Sequence, residues 1–328
     1  MIDRMGANSR ASYYVYRLLS GALQLMPSGT EQLIAVAAGN LAYTLRPRDR
    51  QALEENVEGV LGRGLEHAQL RSWVRRGFAS YARYWVEAAR LKCAARLELD
   101  SRMVCSEGWE HLADGMARGR GVIMALPHLG NFDFGGAWLA AVGYPMTSVA
   151  ERLEPPELFE WFVAQRRSIG LDIYPAGSES SSAVLDVLVR GGLVGLVSDR
   201  DISGHGVPVV FFGHHTTFPA GPAALAMRSG AVLLPAAVYM ESRGGHRGVI
   251  LPPIDTGRRG RFREDVQRVT QDLAARLEGL IRRAPDQWHM FQRAWPAELA
   301  SGVSGGQDLA PGAAGMHVAG ATSGAACE

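Results

Sequence analysis

Short apolar runs alternate with helical stretches along residues 97–283, and this alternation predicts an α/β fold with a mostly parallel central sheet flanked by helices. The predicted strands are 122–126, 146–150, 193–197, 207–212 and 232–238. The predicted helices are 131–142, 156–169, 183–190, 221–228 and 263–283. Hydrophobic residues make up 47% of the 328 residues and charged ones 20%, which is typical of a globular chain with a large core.

The first fifty residues predict an apolar helical hairpin. Two apolar stretches are joined by the turn Pro27-Ser28-Gly29, and the second ends at Arg46-Pro47-Arg48-Asp49-Arg50. Each stretch is too short to span a bilayer. One interpretation is a hairpin buried on the protein's own core, and the other is an interfacial anchor with tyrosines and arginines at lipid headgroups. The two are compatible, and residues 1–50 are predicted to be a membrane-associating hairpin.

Two further segments complete the domain plan. Residues 64–91 carry apolar side chains near helical spacing and predict a long amphipathic helix. Residues 299–328 contain eight alanines and seven glycines, so little apolar area is available to offset the entropy of ordering. We predict an α/β domain over 51–298 and a disordered tail over 299–328.

Composition excludes several functional classes. The 34 basic and 33 acidic residues leave a net charge of +1, which argues against a chain that binds nucleic acid along its whole length. The N-terminus shows no signal-peptide h-region, so the protein is expected on the cytoplasmic side. His205, His214 and His215 lack a carboxylate at ligand spacing, and no metal site is predicted there.

His128 is the strongest candidate for chemistry. It follows the predicted strand 122–126, and the carboxyl ends of strands are where α/β sheets place catalytic groups. Gly130 permits a sharp turn, and Asp133 can accept a hydrogen bond from one imidazole nitrogen, which would leave the other nitrogen as a base. On spacing alone the alternative is that Asp133 caps its helix and His128 is an ordinary loop histidine.

The run Pro127-His128-Leu129-Gly130-Asn131-Phe132-Asp133 resembles the His-x4-Asp box of the lysophospholipid acyltransferase superfamily. Its His-x-Gly-Asn-x-Asp form, followed by Trp138, is similar to the lipid A lauroyl/myristoyl acyltransferase branch. Further motifs of that branch follow in order: Glu151-Arg152-Leu153, Arg166-Arg167-Ser168-Ile169-Gly170, Ser198-Asp199-Arg200-Asp201, Phe211-Phe212-Gly213, 219–226 and Pro285-Asp286-Gln287-Trp288. The Asp-Arg-Asp and Ala-Gly-Pro-Ala-Ala-Leu-Ala versions look most like actinobacterial phosphatidylinositol mannoside acyltransferases.

This resemblance implies transfer of a palmitoyl-like fatty acyl group from acyl-CoA, or from an acyl carrier protein, to a hydroxyl of a membrane glycolipid. For the mannoside branch the hydroxyl belongs to a mannose. His128 is then the catalytic base and Asp133 supports the imidazolium. Acyl-CoA is a co-substrate, no cofactor is implied, and residues 51–298 become the acyltransferase domain of a peripheral protein on the inner membrane.

Charged residues after two other strands are candidate substrate ligands. Glu151 is interpreted as a sugar-hydroxyl acceptor or second carboxylate and Arg152 as a phosphate clamp, with surface solvation as the alternative. Arg166 and Arg167 lie on a predicted helix, where one of them could meet an acceptor phosphate or CoA.

The trio Asp199, Arg200 and Asp201 also follows a strand. Arg200 is the predicted ligand, the aspartates are predicted to position either Arg200 or the acceptor substrate, and a structural salt-bridge network is the alternative. The resemblance further implies a glutamate partner for the histidine after this box, but residues 206–209 contain no carboxylate.

Two alternative functions stay open at this point. One is an acyltransferase for another acceptor, either a lysophospholipid or a lipid A-like glycolipid. The other is a lipid-binding protein that keeps the fold without turnover.

Overall fold

A computed structural model describes residues 10–27, 29–62, 64–91, 94, 96–202 and 204–295. The predicted tail, 299–328, lies outside the described residues. The helices are α1 Arg10–Gln24, α2 Glu31–Leu45, α3 Pro47–Leu61, α4 His67–Arg90, α5 Arg96–Arg102, α6 Trp109–Ala117, α7 Phe132–Ala141, α8 Pro156–Ser168, α9 Ser178–Val189, α10 Gly221–Ser229 and α11 Phe262–Arg282. The strands are β1 Met103–Glu107, β2 Val122–Leu126, β3 Met146–Ala150, β4 Leu171–Pro175, β5 Leu193–Val197, β6 Val207–Phe211, β7 His214–Phe218, β8 Val232–Met240 and β9 His246–Ile250.

Seven strands form the central sheet in the order β1-β9-β8-β2-β5-β3-β4. All neighbouring pairs are parallel except β8 and β9, which pair antiparallel. Strands β6 and β7 form a separate antiparallel pair. The predicted α/β fold with a mostly parallel sheet flanked by helices is therefore confirmed.

The sheet is buried on both faces. Side chains of the central strand β2 alternate between two apolar clusters, with Ile123 and Ala125 on one side and Val122, Met124 and Leu126 on the other. Helix α11 covers the first face and α7 contributes to the second. Continuous apolar runs are typical of parallel strands covered by helices, which is why β2, β5 and β8 are readable from sequence.

Four strands were missed by the sequence analysis: β1, β4, β7 and β9. Strands β1 and β4 form the two edges of the sheet, and each carries polar residues that break the apolar run. Strand β9 begins His246-Arg247-Gly248 and β7 begins His214-His215, so neither shows an apolar run long enough to be read as a strand.

The N-terminal helices α1 and α2 both contact the long helix α4. Gly39 of α2 lies directly against the backbone of α4, because a Cβ built there would lie 2.6 Å from the Cα of Ala79. The opposite side of this pair is apolar and exposed. Among the described helices, none is both long enough and apolar enough to cross a bilayer. The membrane-associating role of residues 1–50 stays a prediction.

Candidate active site

His128 lies in a short loop between β2 and α7, and this loop is fixed by backbone hydrogen bonds. The Gly130 amide donates to the carbonyl of Gln287 at 2.9 Å, and the carbonyl of His128 accepts from the His289 amide at 2.7 Å. Gly130 has φ of +61°, and a Cβ there would lie 1.9 Å from the carbonyl oxygen of Val238. Only glycine fits this turn, which directs the His128 ring to the carboxyl edge of the sheet.

The partner of the His128 imidazole is Asp199, at the end of the neighbouring strand β5. Nδ1 of His128 lies 2.6 Å from Oδ1 of Asp199, and the His128 amide donates to Oδ2 at 2.9 Å. Trp288 Nε1 donates to the same Oδ2 at 2.8 Å. These three contacts hold both carboxylate oxygens, so the ring cannot turn without losing its Asp199 bond.

The carboxylate of Asp199 is buried but stays charged. Burial alone would raise its pKa, yet the charge and hydrogen bonds of His128 and the bond from Trp288 lower it below its ordinary value. When the ring is neutral, a carboxylate that accepts from Nδ1–H fixes the tautomer in which Nε2 carries no proton. About a quarter of the His128 side chain is exposed, and no described residue bonds to Nε2. That nitrogen is available as a base.

Asp133 does not make the predicted hydrogen bond to His128. Its Oδ1 accepts from Arg166 Nε at 3.0 Å, and its Oδ2 accepts from Arg166 Nη2 at 3.0 Å and from the Tyr84 hydroxyl at 2.7 Å. The cap of α7 is Asn131, whose side chain accepts from the Phe134 amide at 3.0 Å. Because that cap sets the first turn, Asp133 faces α4 and α8 rather than the imidazole. The orienting role assigned to Asp133 is thus corrected to Asp199.

The side chains of Asp133, Arg166 and Tyr84 are in direct contact with one another. Burial and the Asp133 carboxylate raise the pKa of the Tyr84 hydroxyl well above its ordinary value, so Tyr84 is a proton donor in this contact. Burial alone would lower the pKa of Arg166, but Asp133 and Tyr84 raise it overall. The bidentate contact and the phenol satisfy the Asp133 carboxylate fully.

Glu151 and Arg200 are brought together beside His128. Arg200 Nη2 lies 2.6 Å from Oε2 of Glu151, and both side chains line a groove of about 210 Å³ together with His128, Phe132 and His289. Arg200 Nε is buried and has no hydrogen-bond partner among the described residues. The charge of the Arg200 guanidinium, which lines the groove beside Glu151, is suited to attract an oxygen of a bound substrate.

Asp201, Arg152 and Arg167 lie apart from the groove. Asp201 accepts from the amides of Gly204 and Gly206 and from the Thr217 hydroxyl, so it holds its own loop. Arg152 is exposed, and Arg167 is exposed with its Nε 3.7 Å from a carboxylate oxygen of Asp172. The three residues of the predicted trio therefore have different partners. Asp199 bonds to His128, Arg200 lines the groove, and Asp201 bonds within its own loop.

A second cavity, the sheet-side cavity, begins at His128 and runs along the strands into the protein. It measures about 200 Å³ and shares His128, Glu151 and Arg200 with the groove. Most of its remaining lining is apolar and comes from α7 and strands β2 to β5: Leu126, Phe132, Met146, Leu171, Ile173, Gly195 and Val197. Ser148 and Asp133 are polar members of the lining. His128 therefore lies where the groove meets a cavity whose other walls are mostly apolar.

Trp288 and His289 are site residues that the sequence analysis did not assign. The His289 ring lies in the groove, where its Nε2 is 2.8 Å from the Ser80 hydroxyl. Burial, and secondarily the charge of His128, lowers the pKa of His289 to about 3, so this second imidazole is neutral at physiological pH. The run Pro285-Asp286-Gln287-Trp288 was recognised as a motif, and it was the signal that could have found both residues.

A buried polar cluster at Glu87 fixes the start of α7. Glu87 Oε2 accepts from Asn131 Nδ2 at 2.7 Å and lies 2.8 Å from His246 Nε2, while Oε1 accepts from Arg83 Nε at 2.8 Å. Burial alone would raise the pKa of Glu87, but His246 and Arg83 lower it to about 2. The charged carboxylate thus joins α4, α7 and β9 directly behind the His128 loop.

Sequence comparison relates this chain to bacterial acyltransferases. The profile of the family described as bacterial lipid A biosynthesis acyltransferase matches residues 6–296. A phosphatidylinositol mannoside acyltransferase of Mycolicibacterium smegmatis is 36% identical over 282 residues, which is 85% of this chain and 89% of that protein. Its counterpart in Mycobacterium tuberculosis is 38% identical over 226 residues, covering 67% of this chain and 69% of that protein.

A lipid A biosynthesis acyltransferase of Haemophilus influenzae is 25% identical over 205 residues, or 62% of this chain and 60% of that protein. The family match spans almost all described residues, and this is the family that the sequence motifs resemble. The chain therefore belongs to the bacterial lipid A biosynthesis acyltransferase family.

Proposed function

We propose that this enzyme transfers a long-chain, palmitoyl-like acyl group from acyl-CoA to a mannose hydroxyl of a phosphatidylinositol mannoside. The observation that carries the proposal is the Asp199-held imidazole of His128 at the junction of groove and sheet-side cavity. The acceptor is suggested by the names of the two mycobacterial relatives.

In this mechanism Nε2 of His128 removes the proton of the acceptor hydroxyl as its oxygen attacks the thioester carbonyl. The imidazolium that forms is stabilised by the ionised Asp199, 2.6 Å from Nδ1. Collapse of the tetrahedral intermediate breaks the carbon–sulfur bond, and the proton on Nε2 passes to the departing CoA thiolate. No acyl-enzyme is needed, since the hydroxyl attacks the thioester directly.

The remaining groove residues have binding roles in this proposal. Glu151 accepts from sugar hydroxyls, and the guanidinium of Arg200, which lines the groove, meets an oxygen of the acceptor or of the tetrahedral intermediate. Asp133 acts on Arg166, which lines both the groove and the sheet-side cavity, and so supports the wall beside His128. Arg152 and Arg167 are exposed and attract the CoA phosphates without a fixed contact.

The sheet-side cavity is the proposed place for the donor chain. It is apolar below His128, and Met146, at the first residue of β3, lies deep in it. A thioester carbonyl at His128 with its chain along the strands would leave the groove free for the acceptor.

Membrane contact is proposed for the outer faces of α1 and α2. Of the fifteen large apolar side chains exposed in the described part of the chain, nine lie between Tyr14 and Leu45. Leu18 and Leu33 are each 74% exposed. A contiguous apolar face with arginines at residues 46, 48 and 50 is suited to an anionic membrane surface, which we take to be the cytoplasmic face of the inner membrane.

Activity is tested with radiolabelled palmitoyl-CoA and separate acceptors: a phosphatidylinositol mannoside, a lipid A precursor and a lysophospholipid. The unmodified enzyme should label the mannoside and release CoA thiol, and His128→Gln should abolish both. His215→Gln, at an exposed histidine of β7, is the matched control. Labelling of another acceptor would reassign the substrate, absence of thiol release with every acceptor would refute the transferase proposal, and activity in His128→Gln would refute the base.

Membrane contact is tested by sedimentation with phosphatidylglycerol-containing vesicles. The double variant Leu18→Glu/Leu33→Glu should bind the vesicles less. Its vesicle–water partition coefficient should fall by roughly a factor of ten or more for each leucine replaced. The same change at Leu97 and Val189, exposed leucine and valine side chains elsewhere, is the control. Equal sedimentation of the two double variants would contradict the proposal.

A further inference from the structure

A third cavity, the helix-side cavity, lies between α1, α2, α4 and α8 and measures about 290 Å³. Its walls are almost entirely apolar, with the side chains of Leu19, Leu23, Ile34, Phe78, Trp161 and Ile169 among them. Nothing in the mechanism above uses it. A cavity of this size and lining is suited to hydrocarbon rather than to a polar ligand.

The inner end of the helix-side cavity meets the groove. Tyr81, Trp85, Phe162 and Arg166 line both spaces. At that end the one ion pair on the wall, Arg166 with Asp133, is already complete because both oxygens of the carboxylate are bonded. An occupant would therefore find few free polar partners until it reached the groove at Glu151 and Arg200.

The outer end lies at the apolar face proposed for membrane contact. Leu19 lines the cavity and is also more than half exposed, and Leu18 next to it is exposed. Ala38 of α2 lines the cavity from the facing helix and is exposed as well. Apolar surface thus continues from the outside of α1 and α2 through the cavity to the groove.

We propose that the helix-side cavity holds one hydrocarbon chain of the acceptor lipid while its headgroup hydroxyl reaches His128. The inference rests on the proposed function, because direct transfer requires donor and acceptor to be bound together. Both substrates carry hydrocarbon; the sheet-side cavity opens at His128, and the helix-side cavity joins the groove that His128 lines. The helix-side cavity is the one continuous with the membrane-facing helices, so the acceptor chain would move between two apolar environments without crossing water.

Photo-crosslinking tests the site without depending on turnover. The acceptor probe is a phosphatidylinositol mannoside with a diazirine in one acyl chain, and labelled peptides of the full-length protein are mapped by mass spectrometry. Labels on Ile34, Phe78 or Trp161 support the proposal. Labels on Met146 or Ile173 would overturn it by placing this chain in the sheet-side cavity, and labels confined to Leu25 and Leu33 would overturn it by showing only surface contact.

A donor probe tests whether the helix-side cavity holds the acyl chain of acyl-CoA rather than a chain of the acceptor. If diazirine-bearing palmitoyl-CoA labels the helix-side cavity in place of the sheet-side cavity, the cavity belongs to the donor and the proposal is wrong. If the acceptor chain crosslinks in the helix-side cavity but CoA thiol is never released, the proposed transferase function is refuted while the proposed chain-binding site is supported.

Matched variants give a second readout. Ala38→Trp fills the helix-side cavity, whereas Ala37→Trp adds the same side chain at the preceding residue of α2, which does not line the cavity. Ala38→Trp should lower acceptor-chain labelling. It should also lower kcat/KM for the two-chain acceptor, relative to kcat/KM for the deacylated acceptor, by at least about tenfold. The reason is that each methylene displaced from the cavity lowers the binding constant by a factor of roughly four. Equal effects of the two variants would contradict the assignment.

Discussion

The imidazole of His128 is held by Asp199, 71 residues away in the chain, and not by Asp133, five residues away. Nδ1 of His128 and Oδ1 of Asp199 are 2.6 Å apart, while Asp133 is occupied by Arg166 and Tyr84. These two carboxylates therefore hold different groups: Asp199 holds the imidazole, and Asp133 holds the Arg166 guanidinium on the wall of the groove.

Asp199→Asn should reduce kcat by roughly 10²–10⁴-fold with little change in fold. Oδ2 of Asp199 accepts from two N–H donors, the His128 amide and Trp288 Nε1, so the amide oxygen of the variant must take that position. Its NH₂ group then faces Nδ1 and forces the tautomer with a proton on Nε2, which cannot act as a base. Steady-state kinetics with palmitoyl-CoA measure the loss.

Asp133→Asn is the comparison for that variant. It weakens the contact with the partly buried Arg166 and should lower the free energy of unfolding more than Asp199→Asn does, while affecting kcat less. Urea unfolding and kinetics on both variants give the result. A larger kcat loss in Asp133→Asn than in Asp199→Asn would return the orienting role to Asp133.

Donor chain length should depend on Met146 and Gly195. A Cβ built on Gly195 would lie 2.5 Å from the sulfur of Met146, so these two residues touch in the sheet-side cavity. Gly195→Ala should push Met146 into the cavity and favour myristoyl- over palmitoyl-CoA, and Met146→Ala should shift the preference the other way. A change of roughly fourfold per methylene is expected in competition assays.

Met227→Ala is the control for that pair, since Met227 packs on the opposite apolar cluster. Shifts of equal direction in Gly195→Ala and Met146→Ala would show that the donor chain does not reach them.

Glu87→Gln should destabilise the fold by about 3–5 kcal/mol, because it leaves Arg83 and His246 without their buried carboxylate. Glu98 is the matched control. It also contacts an arginine, Arg102, but its side chain is half exposed, so Glu98→Gln should cost less than about 1 kcal/mol. Chemical denaturation measures both, and similar losses would show that the Glu87 cluster contributes no more than a surface pair.

Stability should fall as the pH is lowered through the range from 6.5 towards 3, in part because of His289. Burial lowers the pKa of His289 to about 3 from an unfolded value of 6.5, so in this window the unfolded chain binds a proton that the folded chain does not. Each such proton costs about 1.4 kcal/mol per pH unit. His289→Gln should therefore show a shallower fall than the unmodified protein.

Unfolding free energies at several pH values between 7 and 4 give the two slopes. His215→Gln serves as the control for removing a histidine from an exposed position. Identical slopes for His289→Gln and the unmodified protein would mean that His289 is protonated in the folded state.

The sequence by itself determined the class of fold, the position of His128 after a buried strand and the family. Strands β2, β3 and β5 have the predicted bounds, and β8 and most helices agree to within a few residues. These features are readable because each depends on neighbours a few positions apart, through side-chain periodicity and turn residues. Edge strand β1 and the polar strand β9 carry too weak a local pattern to be read.

Only the tertiary structure decided which carboxylate holds the imidazole. Asp199 reaches His128 because β5 pairs with β2, and the order of strands in a sheet is set by packing of the whole chain rather than by spacing along it. The same holds for Trp288, which reaches Asp199 from the far end of the chain, and for the ion pair that takes Asp133 away from the base. Hydrogen bonds between distant segments depend on distance in space, and one sequence records only the residues that could make them.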